Sequence, residues 1–221
     1  MKFTLTYDGP LPSIGNTFSA AKRKEVWSIR EQISDQLADL WTNHPSLKIV
    51  NAHRHTLKTE SFINQERHHL NEVPTEPFAP LEQYEYIDIC SPTTIAEFTF
   101  IPLVRDSIGL VCSLDILFLR AGPKGNVYKA GDLDNRIKTL LDALRVPSAD
   151  EINATALERH KETKRQMYTL LEDDKFVTGL SVKTAQLLNP PGVSDREVRL
   201  VIDVDVRVTH PRTYNTVFLG D

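Results

Sequence analysis

The sequence predicts an α+β fold, a mixed β-sheet with helices packed on one face, and three observations lead there. Alternation opens the chain, with Phe3, Leu5 and Tyr7 set against Lys2, Thr4 and Thr6. It returns between Glu197 and Val208, where Val198, Leu200, Ile202, Val204, Val206 and Val208 point one way. Two segments between these strands carry the 3–4 residue apolar spacing of amphipathic helices, and the resulting element order is not a strict βαβ alternation.

The first strand covers Lys2 to Tyr7, and a turn-rich stretch follows from Asp8 to Asn16. A long helix is predicted from about Ser19 to Trp41, striped by Val26, Ile29, Ile33, Leu37, Leu40 and Trp41. Its first turns carry Lys22, Arg23 and Lys24, which oppose the helix dipole; a solvated face is the plain reading and an anionic partner the alternative. Residues 44–92 hold Pro45, Pro74, Pro77 and Pro80 and are predicted as loops or an insertion. His53, His55, His68 and His69 fall there without a Cys/His set at zinc spacing, so they are taken as polar loop residues. Glu97 to Val104 and Gly109 to Arg120 read as strands, the second apolar enough to be central. Ser148 to Glu151 has the form of a capping box, predicting a polar, basic helix to about Leu171. Lys175 to Lys183 is a further strand, and the tail from Thr209 is expected to be poorly ordered. Asp203 and Asp205 alternate with the apolar face of the last strand beside Arg199 and Arg207 and are taken as surface residues.

Composition fits one domain over residues 1–221, with insertions at 44–92 and 147–171. The chain is 40% hydrophobic and 25% charged, as expected of a globular protein. No apolar run approaches the ~20 residues of a membrane span. The two cysteines, Cys90 and Cys112, lack a Cys-x-x-Cys spacing and point to reduced thiols and a cytoplasmic protein. A net charge of −4 provides no global basic footprint, so any nucleic-acid contact must rest on local patches and a metal ion.

The stretch with the most chemistry runs from Lys129 to Arg145. Leu133, Ile137, Leu140, Leu141 and Leu144 form a buried stripe, with Asp134, Lys138, Asp142 and Arg145 assigned to the other face. Asp132 and Asp134 share a side only if the lead-in is extended, with one of them as N-cap. Two adjacent carboxylates repel unless a cation lies between them, and an oxygen-seeking Mg²⁺ suits such a pair. Lys138, one turn on, would offer a point charge to a phosphate. The plain alternative is that these aspartates only cap a helix. A second acidic pair, Asp173-Asp174, ahead of a predicted strand strengthens the metal reading.

These residues resemble the RusA-like Holliday junction resolvases, small Mg²⁺-dependent endonucleases often carried by phages and prophages. The likeness lies in Gly131-Asp-Leu-Asp-Asn135, Lys138, Asp142-Ala-Leu144, Leu171-Glu-Asp-Asp174 and the stretch Leu11 to Asn16. The resemblance implies metal ligation by Asp132, Asp134 and Asp174, with Asp173 as the other member of its pair, and an essential role for Lys138. It implies a RusA-like fold with inserted segments, Mg²⁺ or Mn²⁺ as cofactor, branched DNA as substrate and a homodimer delivering two symmetric cuts. Lys22, Arg23, Lys24, Lys124, Lys129 and Arg136 are the expected DNA contacts, with Arg159, Lys161, Lys164 and Arg165 as further candidates. The chain is longer and more acidic than a compact member of that family. A metal-dependent nuclease on other branched DNA or RNA, and a non-catalytic nucleic-acid-binding protein, remain alternatives.

Overall fold

The strand with the clearest alternation takes the central place its pattern demands. β9 (Glu197–Val208) is flanked by β1 (Lys2–Pro10) and β6 (Leu110–Arg120), both antiparallel to it. β8 (Val177–Gln186) joins β6 in parallel, giving the order β1-β9-β6-β8. The computed structural model describes residues 1–12, 20–57, 86–120, 133–152, 157–158, 166–188, 197–211 and 214–219. Register explains the burial: Leu5, Ile202, Ile116 and Val182 form one row across the sheet, on the face that enters the core. The next row, Thr4, Asp203, Asp115 and Ser181, is exposed on the opposite face. Asp203 accepts from Thr4 Oγ1 at 2.6 Å and Asp205 pairs with Arg207 at 2.7 Å, so both are surface residues, as the alternation predicts.

The inner face shares its core with α1 (Ala20–Asn43), α2 (Pro45–Ala52) and α3 (Leu133–Leu144). A second mixed sheet has β4 (Thr93–Ile95) antiparallel to β5 (Phe98–Val104) and β7 (Met167–Leu171) parallel to β5. The α+β class therefore stands, with two mixed sheets in place of one. Residues 44–92 are less irregular than their prolines imply: Pro45 opens α2, where a missing N–H costs nothing. β2 (His55–Leu57) pairs with β3 (Tyr86–Asp88) in the same span, and residues 58–85 lie outside the described residues.

Two further expectations need correction. Met167–Leu171 is a buried parallel strand, not the end of a helix: it pairs with β5, Met167 beside Phe100 and Tyr168 beside Ile101. The capping box of Ser148 and Glu151 is present, yet it opens a short 3₁₀ turn. The tail is docked: Phe218 is buried, and Asn215 Nδ2 donates to the Ile108 carbonyl at 2.8 Å. Gly109, at φ +69°, supplies the left-handed step between β5 and β6 beside that asparagine.

The sheet's two edges differ. Along β1, Thr6 N donates to Gln36 Oε1 at 2.9 Å and Gln36 Nε2 donates to Thr6 O at 2.7 Å. The amide of α1 thus imitates a neighbouring strand and blocks that edge. β8 has no strand on its outer side among the described residues, and Leu180 there is 47% exposed.

Three buried acidic protons set an alkaline limit on stability. Burial pushes the Cys112 thiol from 9 to about 12, with Asp205 adding, and the Cys90 thiol to about 11. Tyr7, whose hydroxyl donates to Pro10 O at 2.7 Å, is pushed from 10 to about 12, first by burial and then by Glu25, Asp8 and Glu197. The unfolded chain loses these protons first, so stability present below pH 9 is lost as pH rises from 9 to 12. Urea midpoints should fall steadily above pH 9, and less steeply in Cys112→Ala. A flat profile through that window would contradict the burial.

Candidate active site

The described part of α3 starts at Leu133, so Asp134 is helical and not the N-cap. Asp134 and Lys138 are both exposed and one turn apart, while Ile137, Leu140, Ala143 and Leu144 seal the opposite face into the core. A carboxylate in a first turn is favoured by the helix dipole. Asp132 lies outside the described residues, as do Lys124, Lys129, Arg159, Lys161, Lys164 and Arg165.

The far end of α3 departs from its expected solvent-facing character. Asp142 is buried and Arg145 half-buried, because α1 packs there and Arg145 ties Glu151 (2.5 Å) to Asp142 (3.3 Å). Beneath them Arg30 is 1% exposed and donates from Nη2 to the Asp142 carbonyl at 2.7 Å. Burial pulls its pKa from 12.5 to about 10, opposed by Glu151 and Asp142 and assisted by Arg145. Arg30 and Ser34 lie on the buried stripe Trp27, Arg30, Ser34, Leu37 and Trp41, and Ser34 Oγ accepts from Tyr168 N at 2.9 Å. A polar residue in register with an apolar stripe was the sequence signal for both.

Arg136, expected as a DNA contact, faces inward. It is buried and donates from Nη1 to Leu11 O at 2.8 Å, holding the stretch after β1 against α3. Of the basic residues at the start of α1, Lys24 is exposed and Arg23 half-buried, and Lys22 is helical with its side chain outside the described residues.

Asp173 and Asp174 follow β7. Asp173 caps a short 3₁₀ turn, its Oδ1 accepting from Lys175 N at 3.0 Å. That backbone bond, the Lys175 charge and a hydrogen bond with Asp174 hold it below the usual carboxylate range. Asp174 is exposed. Asp173 Oδ1 is thus engaged by the cap, whereas the Asp174 carboxylate faces solvent.

The structure does not bring Asp134 and Asp174 together in one chain. Gly9, Val198 and Arg120 form a row at one end of the sheet, and Arg136 reaches Leu11 beyond that end. Val177, three residues after Asp174, pairs with Cys112 near the other end. From Cys112 to Arg120, β6 extends roughly 26 Å at ~3.3 Å per residue. α3 leaves from the Arg120 end and finishes at Arg145, which bridges in parallel to Leu171, three residues before Asp174. The first turn of α3 and the lead-in to β8 therefore lie at opposite ends of the helix. Among the described residues no three His, Cys, Asp or Glu side chains form a metal-holding group.

Also among the described residues, no helix is long and apolar enough to cross a membrane. The chain matches no protein-family model, no curated protein and no solved structure.

Proposed function

We propose that the protein is a Mg²⁺-dependent, structure-selective DNA endonuclease of the RusA-like kind, acting on four-way junctions as a cytoplasmic homodimer. The observation that carries this reading is the exposed pair Asp134 and Lys138 on the first turns of α3, a helix whose other face is locked into the core. Such a platform fixes a carboxylate and an ammonium group relative to each other, as a phosphodiester site requires.

Asp134 and Asp174 are exposed carboxylates, the hard oxygen donors that Mg²⁺ or Mn²⁺ takes, and Asp132 precedes them in the motif. When bound, the ion would supply Lewis-acid polarisation of the phosphodiester and a more acidic water. Lys138 would bind a non-bridging phosphate oxygen and stabilise the charge that grows there. Arg23 and Lys24, at the start of the helix that packs on the far end of α3, would meet phosphates farther along the duplex.

Because Asp134 and Asp174 lie at opposite ends of the sheet, a site using both draws them from two chains. The open edge of β8 suits that assembly. Two copies paired antiparallel through β8 would set the start of each strand beside the end of the other, the end from which the chain leads to α3. The free, buried cysteines are compatible with a reducing compartment.

The direct test is cleavage of a synthetic four-way junction with and without Mg²⁺. Asp134→Asn should abolish Mg²⁺-dependent cleavage, a loss of about a hundredfold or more, while leaving folding unchanged, since the side chain is exposed. A fully active Asp134→Asn protein would remove the metal role.

A further inference from the structure

The geometry points to a second site: a pocket for one unpaired nucleotide, formed where the end of α1 meets α2 and β7. It encloses about 460 Å³, within the ~300–1,000 Å³ range of small-molecule sites. Its wall includes Trp41 and Tyr168, with ring centroids 6.4 Å apart and planes inclined at 42°. The backbone of Tyr168 is held by its N–H bond to Ser34 Oγ and by its place in β7.

The polar groups around the wall are chiefly donors. Trp41 is 8% exposed, and its buried Nε1 has no hydrogen-bond partner. That N–H is closed off from solvent, so Trp41 gives the wall apolar surface and not a donor. Lys48 is exposed at the pocket without a carboxylate partner among the described residues. Arg54 is fixed at the same pocket by Asp88 and by the Cys90 carbonyl at 3.1 Å. Asn51 and Gln166 add amides, and no Asp or Glu is among the described residues that line the cavity.

In a chain of net charge −4, a pocket with an aromatic wall, the exposed ammonium group of Lys48 and no carboxylate among its described lining residues favours an anion that has a flat face rich in acceptors. A nucleotide has both parts. Its base would rest on Trp41 and Tyr168 and its phosphate would meet Lys48, the combination by which proteins hold single-stranded nucleic acid. The inference uses none of the proposed metal ligands, so it stands or falls apart from cleavage.

The test is binding of fluorescein-labelled dT10 in EDTA, followed by anisotropy, with thymidine monophosphate, thymidine and inorganic phosphate as competitors. The monophosphate should displace the oligonucleotide at concentrations where thymidine and phosphate do not. Lys48→Glu and Tyr168→Leu should each weaken binding about tenfold at an unchanged melting temperature. Lys48→Glu alters an exposed residue and carries the test if Tyr168→Leu fails to fold. Unchanged affinity in Lys48→Glu, equal competition by phosphate or by thymidine alone, or no binding of dT10 would each overturn the assignment.

Discussion

Asp134→Asn and Asp174→Asn proteins, each inactive alone, should recover junction cleavage when co-expressed. The expectation follows from connectivity. α3 starts beyond the Arg120 end of β6, whereas Asp174 precedes the strand that pairs with the Cys112 end. If each site takes Asp134 from one chain and Asp174 from its partner, a mixed dimer has one site with both substitutions and one with neither. Random pairing would make half the dimers mixed, restoring roughly a quarter of the wild-type sites. If each site lay within one chain, every site in every dimer would lack one carboxylate and the mixture would stay dead. Gel-resolved cleavage of a labelled junction reads the difference directly. An inactive mixture beside an active wild type would sink the shared site and leave the nuclease reading intact. An inactive wild type would sink the nuclease reading itself.

What the sequence made legible was whatever repeats along one element. The alternation of β9, the 3–4 spacing of α1 and the stripe of α3 each depend on local periodicity, and each element is present. Met167–Leu171 was hidden because five residues behind a long basic stretch carry too short a pattern to interrupt a helix reading. Arg136 and Asp142 were misplaced for a different reason. Periodicity assigns a face, but which faces other elements cover is decided by tertiary packing, here by α1 and the stretch after β1. The separation of Asp134 from Asp174 is a topological fact of the same kind. A motif order of Asp-x-Asp, helix, Asp-Asp does not reveal that the helix carries the chain to the opposite end of the sheet.

Arg30→Ala should destabilise the protein by about 3–5 kcal/mol, the largest stability loss expected of any single side chain discussed. The guanidinium is buried, with Nε and Nη1 unpartnered, so its presence already opposes folding through desolvation. It offsets that cost in two ways. Nη2 bonds the carbonyls of Asp142 (2.7 Å) and Arg145 (3.5 Å), groups that the last turn of α3 cannot satisfy by itself. Its charge also lies 5.3 Å from the Trp27 ring centroid and near the buried carboxylates of Asp142 and Glu151. Alanine removes the donors and leaves a cavity between α1 and α3. Arg30→Met, which keeps the volume, separates the two losses: if capping dominates, it should still cost about 1–3 kcal/mol. If the charge is merely tolerated, Arg30→Met should be neutral or stabilising, as when buried ions are replaced by apolar side chains of similar size. Urea unfolding of the three proteins decides between them, and an Arg30→Ala loss below about 1 kcal/mol would mean that α3 is held by its apolar stripe alone.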